Sequence, residues 1–137
     1  MPAMSQPNVE IVRDLFAVWQ QKGPDAALKY MDPDVDFDFS GISGASLDQV
    51  VSVRGTEGLQ SVFAEWFKAF ESLDWSPEAF IDAGDDVIVL LRVLGVGRRS
   101  GVPIERKFTV VYTLRNGVVV RFRGYDTLEA AAGAVGI

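Results

Sequence analysis

The chain has 137 residues, 48% of them hydrophobic and 23% charged, with no cysteine, no histidine and a formal net charge of −6. That length suits one domain with a core of its own. The missing residue types exclude disulfides, thiolate and imidazole metal sites, cysteine nucleophiles and the commonest general base, while the acidic balance speaks against nucleic acid and anionic membrane surfaces as partners.

In chain order, Met1 to Asn8 is polar, holds two prolines and has no hydrophobic signal core. It reads as a disordered lead-in (1–8) to a single domain (9–137). With no apolar run of the roughly 18 residues a span needs, the expected location is cytoplasmic. Val9 to Lys22 is expected to be a helix: Val12, Leu15, Phe16 and Trp19 recur at helical spacing, Asn8 can cap the start, and Gly23-Pro24 ends it. A short helix follows in Asp25 to Met31. Val35 to Phe39 alternates apolar and acidic residues, as a strand with one buried face does.

Ser40 to Ser52 is rich in Gly, Ser and Ala and reads as a loop, long enough for a pocket rim. The strongest helical pattern begins at Thr56, with Leu59, Val62, Phe63, Trp66, Phe67, Phe70 and Leu73 on one broad stripe. The period then turns extended. Strands are predicted over Glu78 to Asp82, Val87 to Val96, Ile104 to Leu114 and Val118 to Tyr125, with the favoured Asn116-Gly117 pair in the last tight turn. Asp126 and Glu129 suit the capping box of an Ala-rich terminal helix, stopped by Gly133 or Gly136. Helices followed by a strand meander predict an α+β domain with helices on one face of a sheet.

This order, with Met31-Asp32-Pro33-Asp34-Val35, Val53-Arg54-Gly55, Thr113-Leu114-Arg115-Asn116-Gly117 and Arg121-Phe122-Arg123-Gly124-Tyr125-Asp126, resembles the SnoaL-like (polyketide-cyclase-like) branch of the nuclear-transport-factor-2-like superfamily. The resemblance runs from about Val9 onward. It implies a cone-shaped α+β barrel, with three helices on a curved antiparallel sheet around an apolar pocket. The fold hosts isomerases, cyclases, epoxide hydrolases and binders, so it does not choose among them.

The chemistries of similar families were aligned residue by residue. The ketosteroid-isomerase oxyanion tyrosine, base and protonated acid fall on Phe16, Phe37 and Val110, none of which moves a proton. Asp36 and Asp38 flank the base position, and a one-residue register shift would bring them inward. In the limonene-type epoxide hydrolases the Arg-x-Asp pair falls on Arg92-Val93-Leu94 and the last-strand aspartate on Gly124. SnoaL-type cyclases use a histidine, which this chain lacks.

These alignments and the strand alternation together give one inward set. It comprises Val35, Phe37 and Phe39, then Ile88, Leu90, Arg92 and Leu94, then Phe108, Val110 and Tyr112, then Val120, Phe122 and Gly124. Phe16, Trp19, Phe63, Trp66 and Phe70 face it from the helices. Phe16, Trp19, Phe37, Trp66, Arg92, Tyr112 and Phe122 are the candidate ligand contacts, although an aromatic stripe at helical spacing is more often plain core. Arg92, amid leucines and valines, either pairs with an internal acid such as Asp38 or Glu105, snorkels to the sheet edge, or takes the anionic or carbonyl group of a ligand.

If there is catalysis, Asp38, Arg92 and Tyr112 are its candidates, with no metal or cofactor expected. Val87, Val89, Leu91, Val93, Val111 and Val119 would then make the outer face apolar, which predicts a homodimer joined through the sheets. The function expected is binding of a small hydrophobic molecule. The alternatives are a cofactor-independent isomerase, cyclase or epoxide hydrolase on polyketide-, steroid- or terpenoid-like substrates, or a protein–protein module whose side chains fill the cup.

Overall fold

The computed structural model of the chain describes residues 7–41 and 52–137. Nearly all of the expected lead-in and of the loop between Ser40 and Ser52 lies outside the described residues.

α1 (Asn8–Lys22) buries Ile11, Val12, Leu15 and Phe16, the stripe its spacing dictates, and stops at Gly23 with φ 92°. Asn8 is the first helical residue rather than the cap. Its side-chain amide donates to the Gly84 carbonyl at 3.0 Å and pins the helix start to a sheet turn. α2 (Pro24–Ala27) is a single turn with proline at its first position, followed by a 3-10 turn over Leu28–Tyr30. β1 (Met31–Gly41) buries Val35, Phe37 and Phe39 by alternation. β2 (Ser52–Arg54) is short, and α3 (Gly55–Ala69) buries Leu59, Val62, Phe63 and Trp66.

The helical stripe continues in sequence to Leu73, but α3 ends at Ala69 and Phe70 opens a strand. The cause is a long-range cap. Arg98 donates from its guanidinium to the carbonyls of Phe67 (3.0 Å) and Phe70 (3.2 Å), and from its backbone N–H to Ala69 (3.0 Å). Those groups would otherwise lack partners at a helix end.

β3 (Phe70–Ala83), expected only over Glu78 to Asp82, runs the full edge of the sheet beside β4 (Asp86–Gly97). Pro77 and an adjacent register shift interrupt this edge, which discourages pairing with another chain. β5 (Pro103–Arg115) and β6 (Val118–Tyr125) are joined by Asn116-Gly117 with both φ positive, as a primed turn requires. α4 (Leu128–Val135) is capped by the Thr127 hydroxyl, which accepts from the Ala130 N–H at 3.1 Å, and closes on Gly136.

The strands lie in the order β2-β1-β6-β5-β4-β3. Every neighbouring pair is antiparallel except β1 with β6, which is parallel. The architecture is the expected α+β one of helices against a curved sheet, but the sheet is mixed rather than antiparallel and stays open, with β2 and β3 as its edges. α1 and α3 cover its inner face, while α4 lies on the outer face against β4, β5 and β6.

The parity of β4 is the reverse of the expectation. Val87, Val89, Leu91 and Val93 belong to the core beneath α1 and α3, whereas Ile88 and Leu90 pack on the outer side with Val111, Ala131 and Val135. On β6 a register shift between Thr113 and Leu114 turns Val119 inward along with Phe122. Of the apolar strip expected to face a partner copy, Val87, Val89, Leu91, Val93 and Val119 are thus inside the fold, whereas Val111 stays outside beneath α4. No helix among the described residues is long and apolar enough to cross a membrane.

Candidate functional site

The inner face gathers aromatic side chains from both long helices and most strands, Trp75 of β3 among them. From α1 come Phe16 and Trp19, from α3 Phe63 and Trp66, from β1 Phe37 and Phe39, from β5 Tyr112, and from β6 Phe122. Tyr112 stacks on Phe122 with centroids 5.4 Å apart and meets the edge of Phe16 at 5.8 Å. Phe122 continues to Phe37 at 4.9 Å, and Phe37 to Trp66 at 6.3 Å. Trp19 stands edge-on to Phe63 at 5.0 Å and so bridges α1 to α3. Six of the seven ligand contacts expected from sequence therefore share one cluster.

The seventh, Arg92, stands on the outer face with the reversed parity of β4. Its Nε donates to Glu105 at 2.6 Å, with side chains 41% and 49% exposed. Glu105 is one of the two acids expected as partner, but the pair lies half-exposed on the outer face rather than inside. Asp38 is also on the outer face, between Ser52 and Arg123 in register. Hydrogen bonds from Ser40, then from Ser52, with the nearby Arg123 charge, hold its carboxyl below the usual range against a smaller opposing effect of burial. Of the three catalytic candidates, only Tyr112 reaches the cup. Asp36 points outward as well, between Arg54 and Arg121.

The cup is nearly full. Its residual cavity is about 20 Å³, lined by Trp19, Phe63, Trp66, Trp75, Tyr112 and Phe122 among others, which is room for about one water molecule. Among the described lining residues none carries a charge. Two polar groups remain. Burial pushes the Tyr112 phenol well above its ordinary pKa, so it stays neutral. Among the described residues, the buried Trp75 indole N–H has no hydrogen-bond partner.

Trp75 was missed by the sequence reading because it lay in a stretch assigned to neither the helix nor the next strand. The available signal was its alternation with Leu73, another inner-face residue of β3. A larger groove of about 880 Å³ lies by the start of α1 and the turns at Asp85 and Asn116. None of the candidate residues lines it.

The SnoaL-like domain model matches residues 12–122. The chain belongs to the SnoaL-like domain family. Among solved structures it is similar to TerC co-crystallised with polyporic acid (TM-score 0.77, 20% identity, 96% of this chain and 100% of that one). It is also similar to a nuclear-transport-factor-2-like protein of Burkholderia thailandensis (TM-score 0.78, 24% identity, 95% and 98%). A third is a protein named as a SnoaL-like polyketide cyclase from Jannaschia (TM-score 0.70, 25% identity, 93% and 90%). No curated protein matches the chain. For a SnoaL-like domain, the site that geometry singles out is the aromatic cup, with Tyr112 and Trp75 as its polar groups.

Proposed function

We propose that this SnoaL-like protein binds a small, neutral, hydrophobic molecule in the cup between α1, α3 and the inner face of the sheet. The observation that carries the reading is the lining: a continuous aromatic wall around a cavity whose described residues supply two polar groups and no charge. Apolar walls with few polar groups are the usual make-up of small-molecule sites. That TerC was crystallised with polyporic acid supports a ligand on this fold.

The closed cup must loosen to admit a ligand. Trp19 is the half-buried member of the lining, and its ring fills the seam between α1 and α3, so its displacement opens the shortest path. Acid–base catalysis of the cyclase or isomerase kind is less well served. Among the described lining residues Tyr112 alone can titrate, and burial disfavours its ionised form.

Native mass spectrometry of the purified protein, followed by solvent extraction, is expected to release a neutral hydrophobic compound. Titration with Nile red is expected to give saturable binding that Trp19→Ala accelerates. A bare polypeptide mass, with no Nile red binding by either protein, would sink the reading in favour of a cup filled by its own side chains.

A further inference from the structure

Trp75 has an unusual position for an indole. Its ring is fixed from every side: stacked on Trp66 at 5.1 Å and 24°, tilted against Trp19 at 5.9 Å and Phe39 at 6.4 Å, and edge-on to Phe108 at 5.8 Å. Its backbone is fixed as well. The carbonyl accepts from the Gln20 side-chain amide at 3.2 Å, and the residue pairs with Val93 in the sheet. These contacts hold the ring without any use of its N–H. A buried indole normally finds an acceptor, and one that does not keeps the whole desolvation penalty of the unmade bond.

The surroundings limit what can answer that N–H. The ring neighbours are aromatic side chains that offer no acceptor, and the described lining holds no carboxylate, lysine or arginine. A ligand that brings an acceptor removes the penalty, whereas one that brings an anion must leave water for a site with no cation.

We infer that Trp75 is a specificity-determining residue: its indole N–H takes the hydrogen-bond acceptor of a neutral ligand, such as a carbonyl or ether oxygen, and the uncharged cup rejects carboxylates. The inference rests on the reading of the cup as a small-molecule site. Its competitor is a single water in the residual cavity, which would satisfy the N–H without any ligand.

Calorimetric titrations of wild type and Trp75→Phe with three probes of similar size decide between them: 2-acetylnaphthalene, 2-isopropylnaphthalene and 2-naphthoate. Wild type is expected to favour the ketone over the hydrocarbon by about tenfold, and to bind the carboxylate weakest. In Trp75→Phe the ketone-to-hydrocarbon ratio is expected to fall to about one. A ratio unchanged by the substitution, or naphthoate bound as tightly as the ketone, overturns the inference and leaves the cup as a binding site. Should wild type admit none of the probes, the same series in the Trp19→Ala background decides. Failure there as well removes the small-molecule reading together with the inference.

Discussion

Leu91 and Arg92 are consecutive residues of β4, yet Leu91 is 1% exposed beneath the helices while Arg92 reaches water beside Glu105. The same contrast runs across the whole sheet. The inner face is aromatic and aliphatic, closed by α1 and α3, and the outer face has α4 over its apolar centre with charged pairs around it. The two coverings differ in strength. α1 and α3 bury large side chains, whereas α4 docks through Ala131 onto Ile88 and Val111. Shape-specific packing is concentrated on one side.

The largest effect should come from testing that parity directly. Leu91→Ala is expected to cost about 2–5 kcal/mol in urea denaturation, as a cavity in a packed core does. Arg92→Ala should cost less than about 1 kcal/mol, because its ion pair is half-exposed. The reverse ranking would put β4 the other way round.

Ala131→Asp places a carboxylate against Ile88 and Val111. It is expected to lower stability by about 1–3 kcal/mol and to speed hydrogen exchange in α4, with the inner face left protected. Loss of protection in α1 and α3 as well would show that the two faces are not independent.

Asp38 and Tyr112, whose ionisation is shifted, fall one on each face, and their pH effects have opposite signs. The folded-state pKa of Tyr112 is raised, so its contribution is present below the ordinary phenol value of about 10 and lost as pH rises beyond it. Tyr112→Phe should therefore hold its stability further into alkali than wild type does, read from melts between pH 9 and 11 (roughly the phenol range). Asp38 is lowered, so its smaller contribution is present above the ordinary carboxylate value of about 4 and lost as pH falls through the folded value. Ser40→Ala removes the leading cause and should move the Asp38 titration up in carboxyl-detected NMR, with little change in stability at neutral pH.

Much of this was legible in the sequence. The α+β order, the Asn116-Gly117 turn and the inward alternation of Val35, Phe37 and Phe39 all follow from local pattern. What failed has a physical reason in each case. Val87 to Leu94 is apolar at both parities because β4 is covered on both faces, and a strand buried twice carries no alternation to read. The end of α3 depends on Arg98, which comes from the far side of a strand and leaves no local signal. Trp75 was overlooked because the helical period ran past the true helix end. The partner of Arg92, by contrast, was among the acids named beforehand, although on the opposite face from the one assumed.

The parallel pairing of β1 with β6 has a consequence for how the chain is made. Phe37 lies beside Phe122, so the first long strand finds its long neighbour only when the last one exists. During synthesis β1 leaves the ribosome several seconds before β6, and until then β2 is its one partner, at three residues. The hydrogen-bonding edge of β1 that faces β6 must wait unpaired through that interval, and closing so distant a contact slows folding. A chain cut before Val118 would keep that strand permanently without its neighbour, with its unpaired edge free to recruit a strand of another chain.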